Sequence, residues 1–287
     1  MADTLLPFAR GTYEEIELHF GKKIFHPFSV IELLSTSKEY NDWMSRSAEA
    51  DMLDYIGGEV DSKLYDEFLF PFQKKISVNK TSWIDIAILI SVFRNYFREK
   101  KILLEEKFNL GELKLHDDHV EYKDVAAQKI IFCEGVEALN NPHWKTLPFL
   151  PAKGEVLLIK APMKLNHILN RKIYILPLGE NLFKTGSTYS WTFSDAEPTK
   201  EARQFIISQL KTILKIPFEV VDQLAAIRPT VKNRRPFLGL HPVHNQIGIF
   251  NGLGTKGCLL APWFASQMAG FLSGKNELMK EVNVANL

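Results

Sequence analysis

Cysteine is scarce in this chain of 287 residues: there are two, Cys133 and Cys258, far apart and each in apolar surroundings. That excludes a disulfide framework and a cysteine pair at metal-binding spacing, so a reducing cytoplasm is the expected setting. A surplus of charge is missing as well. Thirty-five basic residues stand against 34 acidic ones, for a net charge of +1, with no run of five or six like charges. Nothing in that balance asks for a nucleic-acid or membrane surface, and neither partner is expected. The longest apolar run, Ile84 to Phe93, is broken by Asp85 and is too short to cross a bilayer. The opening "MADTLLPFARGTYEE" has no basic region followed by a long apolar one, so no signal peptide is expected. No internal repeat, low-complexity segment or G-x-S-x-G elbow is present. The eight histidines show no H-x-x-x-H pairing, and no metal ligands are expected.

What is present is an apolar share of 46%, enough for one large domain or two interleaved ones. Periodicity predicts helices over 7–20 and 36–55, with the apolar, β-branched "FSVIELL" between them as a strand. "NKTSWIDIAILISVFRNYFREKK" predicts a helix, capped by Asn79, Thr81 or Ser82, with Asp85 in its first turn. "KILLEEKF", "DHVEYKD" and "QKIIFCEG" read as short strands. A proline-rich bend, "NNPHWKTLPFLPAKG", marks a boundary. The alternating segments "EVLLIKAP", "RKIYILPLGE" and "NLFKTGSTYSW" after it suggest an antiparallel sheet with one solvated face. "TKEARQFIISQLKTILK" is an amphipathic helix, and "VVDQLAAIRPTVKNRRPFLGLHP" is strand-like, then loop.

Near the end, Gly252-Leu253-Gly254-Thr255-Lys256-Gly257 spells G-x-G-x-x-G between a strand-like and a helix-like run. Three readings stand beside each other. It is the first βαβ unit of a dinucleotide fold, which requires a second strand with an acidic residue about 20 residues on. It is a strand–helix turn whose glycines only relieve backbone strain. Or it is a late glycine loop and helix start delivered to a cofactor held mostly by earlier parts of the chain.

Other segments add to the third reading. "CEG" at 133–135 ends a strand, "KGEVLLI" at 153–159 opens the antiparallel block, and "TGSTYSW" spans 185–191. "IRPTVKNRRPFLG" at 227–239 precedes "GLGTKGCLLAPWFA" at 252–265. In this order the chain resembles the D-amino-acid oxidase and glycine oxidase superfamily of FAD-dependent oxidoreductases. The resemblance covers most of the chain and implies a mixed α+β and α/β fold. That fold is an incomplete FAD-binding nucleotide fold with an inserted antiparallel-sheet substrate domain. It divides the chain into 79–140 plus 241–287 for FAD, and 1–78 plus 141–240 for substrate. The implied activity is oxidation of a C–N bond of a small amino acid or secondary amine.

The implied cofactor residues are Gly135, Gly252, Gly254, Thr255, Lys256 and Gly257. Phe108 joins them, at the end of "ILLEEKF", which resembles the strand passing the adenosine half of FAD. Arg228 is the implied clamp for a substrate carboxylate; the alternative is an arginine paired with a structural acid. Lys256 is implied near the flavin pyrimidine ring, or is a solvated loop lysine. Tyr189 and Trp191 line a pocket or pack within the sheet. Arg234 and Arg235 read as surface charges. Cys258, at a helix start, is expected to be buried; exposure there would lower its pKa.

The chain also departs from the family pattern. The family's own opening G-x-G-x-x-G is not found, so a chain lacking the ADP-binding unit is expected. From that follow weak or no FAD binding by this chain alone and an exposed sheet edge open to pairing with another chain. A non-catalytic binding protein is the alternative function. Glu134 stands where the family has a small residue, Asn233 replaces a common aspartate, and Thr255 and Lys256 fill positions where some members place a substrate-binding arginine. Relatives that oxidise a group on tRNA are a further class, to which the near-neutral charge lends no support.

Overall fold

A computed structural model describes residues 2–286. Five helices are α1 (Ala2–Phe20), α2 (Ser37–Ser47), α3 (Ile86–Glu99), α4 (Lys200–Ile213) and α5 (Gly257–Leu272). The chain divides into two compact units. One takes residues 1–24, 84–152 and 228–287, the other residues 25–83 and 153–227.

In the first unit, a three-stranded sheet has the order Phe237–Leu240, Ile247–Asn251, Ile130–Phe132. The first pair is antiparallel and the second parallel, with Ile249 beside Phe132. Strand Ile130–Phe132 is one edge of this sheet among the described residues. Phe132, Trp144, Val231, Phe237, Ile247 and Ile249 form one core cluster. Phe264, Met268 and Leu278 pack with Leu238 in another. The α1 helix lies against α5: Phe8 meets Trp263 edge-on at 5.2 Å, and the Tyr13 hydroxyl donates to the Cys258 carbonyl at 2.8 Å. Burial raises the Tyr13 pKa strongly, which keeps that donor protonated.

The second unit is built on an eight-stranded sheet. From one edge its strands are Glu219–Arg228, Ala152–Lys160, Leu182–Gly186, Ile173–Gly179, Ile168–Arg171, Val30–Leu34, Lys74–Val78 and Ile56–Glu59. The core alternates as a half-buried sheet requires, with Leu157, Ile159, Leu169, Ile173, Ile175 and Phe183 inward against Ile206, Leu210 and Ile213 of α4. Thr199 caps α4 through its hydroxyl, which accepts from Ala202 N at 3.2 Å. Glu155, buried in the sheet, accepts the Thr199 amide and hydroxyl, both at 2.8 Å. This tie fixes the helix start to a strand. Lys75 is also buried; its ammonium donates to Ser62 O, Leu64 O and Asp66 Oδ1.

Several sequence expectations change. By contacts, residues 2–24, 141–152 and 228–240 group with the first unit and 79–83 with the second; for 2–24 the tie is the packing of α1 on α5. The helix expected over 36–55 stops at Ser47, and turns lead into the strand Ile56–Glu59. Asp85 is itself the cap of α3, accepting from Ile88 N at 3.0 Å, because residues 82–84 form a strand. "KILLEEKF" is not a strand. Ile102 and Leu104 are exposed, and no described strand runs beside them to take their backbone groups. Conversely, "PFLGL" is a strand where a loop is expected, since Phe237–Leu240 pairs residue for residue with 248–251.

Replacing Tyr13 by Phe removes the α1–α5 hydrogen bond with little change in shape. Urea unfolding should show a loss of about 1 kcal/mol.

Candidate functional site

The two parallel strands of the first unit each run into a turn built on glycine, strand Ile247–Asn251 extending two residues past the end of Ile130–Phe132. After Phe132 comes Cys133-Glu134-Gly135; after Asn251 comes Gly252-Leu253-Gly254. In open sheets with parallel strands, ligands gather outside the carboxyl ends of those strands. Gly135, Gly252 and Gly254 have φ of +59°, +76° and +58°, in the left-handed region that favours glycine.

One buried side chain joins the turns. Asn251 donates from Nδ2 to Gly135 O at 2.8 Å, and its Oδ1 accepts from Gly252 N at 2.7 Å. Behind the loop lies the "RPTV" segment. A Cβ on Gly252 would sit 2.8 Å from Val231 Cγ1, and one on Gly254 would sit 3.2 Å from Thr230 Cγ2. Thr230 is held in turn by its hydroxyl on Leu150 O and by Leu150 N donating to Thr230 O at 2.7 Å. The other side is open. A Cβ on Gly135 would meet nothing within 4 Å, and one on Gly257 only Leu253 at 3.9 Å. Then α5 begins, preceded by Lys256 with no side-chain cap, so its first amides face outward without a protein acceptor from that residue.

Each expected residue has a definite place. Gly252, Gly254, Thr255, Lys256 and Gly257 form the loop, with Thr255 and Lys256 exposed, and Gly135 faces them through Asn251. Arg228 ends a strand, partly buried, and its carbonyl accepts from Thr230 N at 2.8 Å, so it leads directly into the wall behind Gly254. Phe108 is not at a strand end. Its ring stacks on Tyr122 at 4.4 Å and meets Phe132 edge-on at 5.8 Å. Tyr189 and Trp191 belong to the second unit. They are exposed and touch each other edge-on at 4.9 Å, so they are not core packing residues. Arg234 and Arg235 lie in an exposed turn, where Asn233 Oδ1 accepts from Arg235 N at 3.0 Å.

Cys133 and Cys258 are solvent-exposed residues, whereas burial is expected for Cys258. At both, desolvation of the sulfur nevertheless pushes the thiol pKa up, so Cys258 gains no thiolate character from its helix start. Glu134 is turned to Asn141, whose Nδ2 donates to Oε2 at 3.0 Å. Partial burial holds its carboxyl above the usual range despite that hydrogen bond. The loop is therefore a set of backbone donors with an open side, a helix start and an exposed ammonium, with the adjacent carboxylate tied elsewhere. Those features fit an anionic or carbonyl-rich cofactor such as FAD.

Residues 9–270 match the model of one protein family, DAO, described as FAD dependent oxidoreductase. The chain belongs to this family. Within it, the chain is 23% identical over 297 residues to the tRNA 5-methylaminomethyl-2-thiouridine biosynthesis bifunctional protein of Marinobacter nauticus, a match covering 94% of this chain and 45% of that protein. It is 24% identical over 162 residues to glycine oxidase of Pseudomonas aeruginosa, covering 54% of this chain and 44% of that one. The matches thus span less than half of each curated relative. The fold of this DAO-family chain is that of glycine oxidase from Geobacillus kaustophilus, with a TM-score of 0.80 at 17% identity, over 97% of this chain and 80% of that one. Iminodiacetate oxidase from Chelativorans sp. superposes with a TM-score of 0.80 at 18% identity, over 97% and 83% of the two chains. The family's cofactor is FAD. Among the described residues, no helix is long and apolar enough to cross a membrane.

Sequence reasoning missed Asn251, Thr230 and Val231. The signal for Asn251 is a polar residue closing an apolar strand just before a glycine; nothing local marks the other two.

Two substitutions separate the glycines that the loop needs from one it does not. Gly252→Ala should cost about 1–3 kcal/mol in thermal unfolding, from its left-handed φ and the Val231 contact. Gly257→Ala, at a helical φ of −51°, should be neutral or stabilising. A third, Asn251→Asp, turns a donor into a carboxylate 2.8 Å from the Gly135 carbonyl. It should lower stability by about 1–3 kcal/mol at neutral pH.

Proposed function

We propose that this chain, with FAD bound, oxidises a C–N bond of a small amino acid or secondary amine. The observation that carries this reading is the pair of glycine turns, joined by Asn251, at the carboxyl ends of adjacent parallel strands. Bound FAD supplies the two-electron acceptor. The chain's own residues do the rest. Gly254, Thr255 and Gly257 offer backbone N–H groups without a side chain in the way at the glycines, Gly252 shapes the loop with its own N–H held by Asn251, and Gly135 allows close approach from the neighbouring turn. The Lys256 ammonium and the α5 amino end offset negative charge that builds beside them. The Arg228 guanidinium holds the substrate carboxylate through two parallel hydrogen bonds and so orients the α C–H. Phe108, edge-on to Phe132 at the end of the strand that leads to the Gly135 turn, adds a partly exposed aromatic ring.

The relatives' names support a small substrate, glycine for one and iminodiacetate for another. A third relative is named for a tRNA nucleoside. A net charge of +1 gives no basic footprint for that polyanion, so the small-molecule reading is preferred.

Titration with FAD followed by gel filtration should leave flavin absorption with the protein. The loaded protein should reduce an electron acceptor on addition of a small amino or N-substituted amino acid. A folded chain that retains no flavin would overturn the reading in favour of a non-catalytic binding role. Arg228→Leu should raise KM about 100-fold, the equivalent of ~3 kcal/mol for a charged hydrogen-bonded contact, with flavin retention unchanged.

A further inference from the structure

At the other end of the two parallel strands lies a polar cluster that the proposed oxidation does not use. Strands Leu113–Leu115 and Val120–Tyr122 form a hairpin closed by His116 N donating to His119 O at 2.9 Å. The turn is pinned from below by buried Gln246, the residue just before strand Ile247–Asn251. Its side-chain amide donates to His116 O and, at 2.7 Å, to Asp117 O, while its backbone carbonyl accepts from Ile130 N at 2.8 Å. The hairpin is therefore fixed at the amino ends of the strands whose carboxyl ends carry the glycine turns.

On this hairpin, His116 and His119 stack face to face, with ring centroids 4.3 Å apart and planes 7° from parallel. Their Nε2 atoms both approach the Glu121 carboxylate, His116 at 3.4 Å and His119 at 3.6 Å. One ligand atom from each of the three residues lies within 4.8 Å of the others. Ligands about 2.1 Å from a shared tetrahedral ion lie roughly 3.4 Å apart, so small side-chain rotations close the set. A further feature is characteristic of metal-binding histidines. The far nitrogen of His119, Nδ1, is 2.7 Å from Asp118 Oδ1, the carboxylate–histidine arrangement that orients an imidazole and raises its basicity. Among the described residues, this is the one group of three or more histidine, cysteine or carboxylate side chains that meets the geometry for a metal ion. Lys114 opposes it, with its ammonium 3.7 Å from Glu121 Oε2, but that side chain is exposed and free to swing away.

We propose that His116, His119 and Glu121 bind a borderline divalent transition cation of the Zn²⁺ class, with Asp118 orienting His119. Two imidazole nitrogens and one carboxylate oxygen select such ions over Mg²⁺ or Ca²⁺, which take oxygen sets. Three protein ligands leave at least one coordination position for water. The spacing H-x-x-H-x-E does not read as a metal motif along a helix, because its members meet across a hairpin turn.

The test uses the full chain, stripped with a chelator and titrated with Zn²⁺ by calorimetry and with Co²⁺ by visible absorption. One equivalent should bind saturably, and the Co²⁺ bands should show four- or five-coordination. His119→Gln and Glu121→Gln should each weaken binding at least about 10-fold, and Asp118→Asn should weaken it roughly 10-fold as a loss of the orienting partner. Lys114→Ala should tighten binding; it removes no ligand and so remains informative if a ligand variant fails to fold. Replacing His143 and His244, which lie elsewhere in the same unit, should change nothing. No saturable binding by the unaltered chain, unchanged affinity in the His119 or Glu121 variants, or loss on replacing His143 and His244 would each overturn the proposal and leave an ion-pair cluster only.

Discussion

One asparagine side chain holds the two glycine turns together. Asn251 is buried, and its amide spends a donor on Gly135 O and an acceptor on Gly252 N. A buried amide left half-satisfied is costly, so the arrangement is close to all-or-none. Its geometry depends on the register that sets Ile249 beside Phe132, since a slip of one residue would reverse which side of the sheet each side chain faces. Once that register is set, two left-handed glycine turns and a helix start open in the same direction.

The cost of this design is long-range closure. Asn251 and Gly135 are 116 residues apart in sequence, and the Thr230–Leu150 clasp behind the loop joins residues 80 apart. Between them the chain makes most of the large sheet, whose pairs are antiparallel except for Ile168–Arg171 beside Val30–Leu34 among those described. The first unit is therefore assembled from three separate stretches, and none of them contains the site alone. The second unit meets the same problem with buried polar ties. Glu155 joins a strand to the α4 cap, and Lys75 gathers two carbonyls and a carboxylate. Such groups are tolerable inside only because nearly every donor and acceptor finds a partner.

The candidate site was legible where a residue type is demanded by backbone geometry. The glycines at 135, 252 and 254 are visible in the sequence because no other residue adopts their φ cheaply, and all three take the left-handed conformation. The amphipathic helices and the alternating strands of the inserted sheet were legible through periodicity. "KILLEEKF" was misread because β-like composition does not supply a partner strand, and "PFLGL" was missed because a partner was supplied from elsewhere. The exposure of Cys258 was misjudged for the same reason: apolar sequence neighbours do not decide which face a residue turns to solvent.

The sequence by itself determined the amphipathic helices, the alternating strands of the inserted sheet, the glycine turns and the motif series that places the chain in the DAO family, because these rest on local conformational preference and on spacing. Only the tertiary structure decided that α1 packs on α5, that Asn251 joins two distant turns, that Glu134 is tied to Asn141, and that two histidines and a glutamate meet across a hairpin. Those are pairings between side chains, and a side chain's partner is chosen by the packing of the whole unit rather than by its neighbours in the chain.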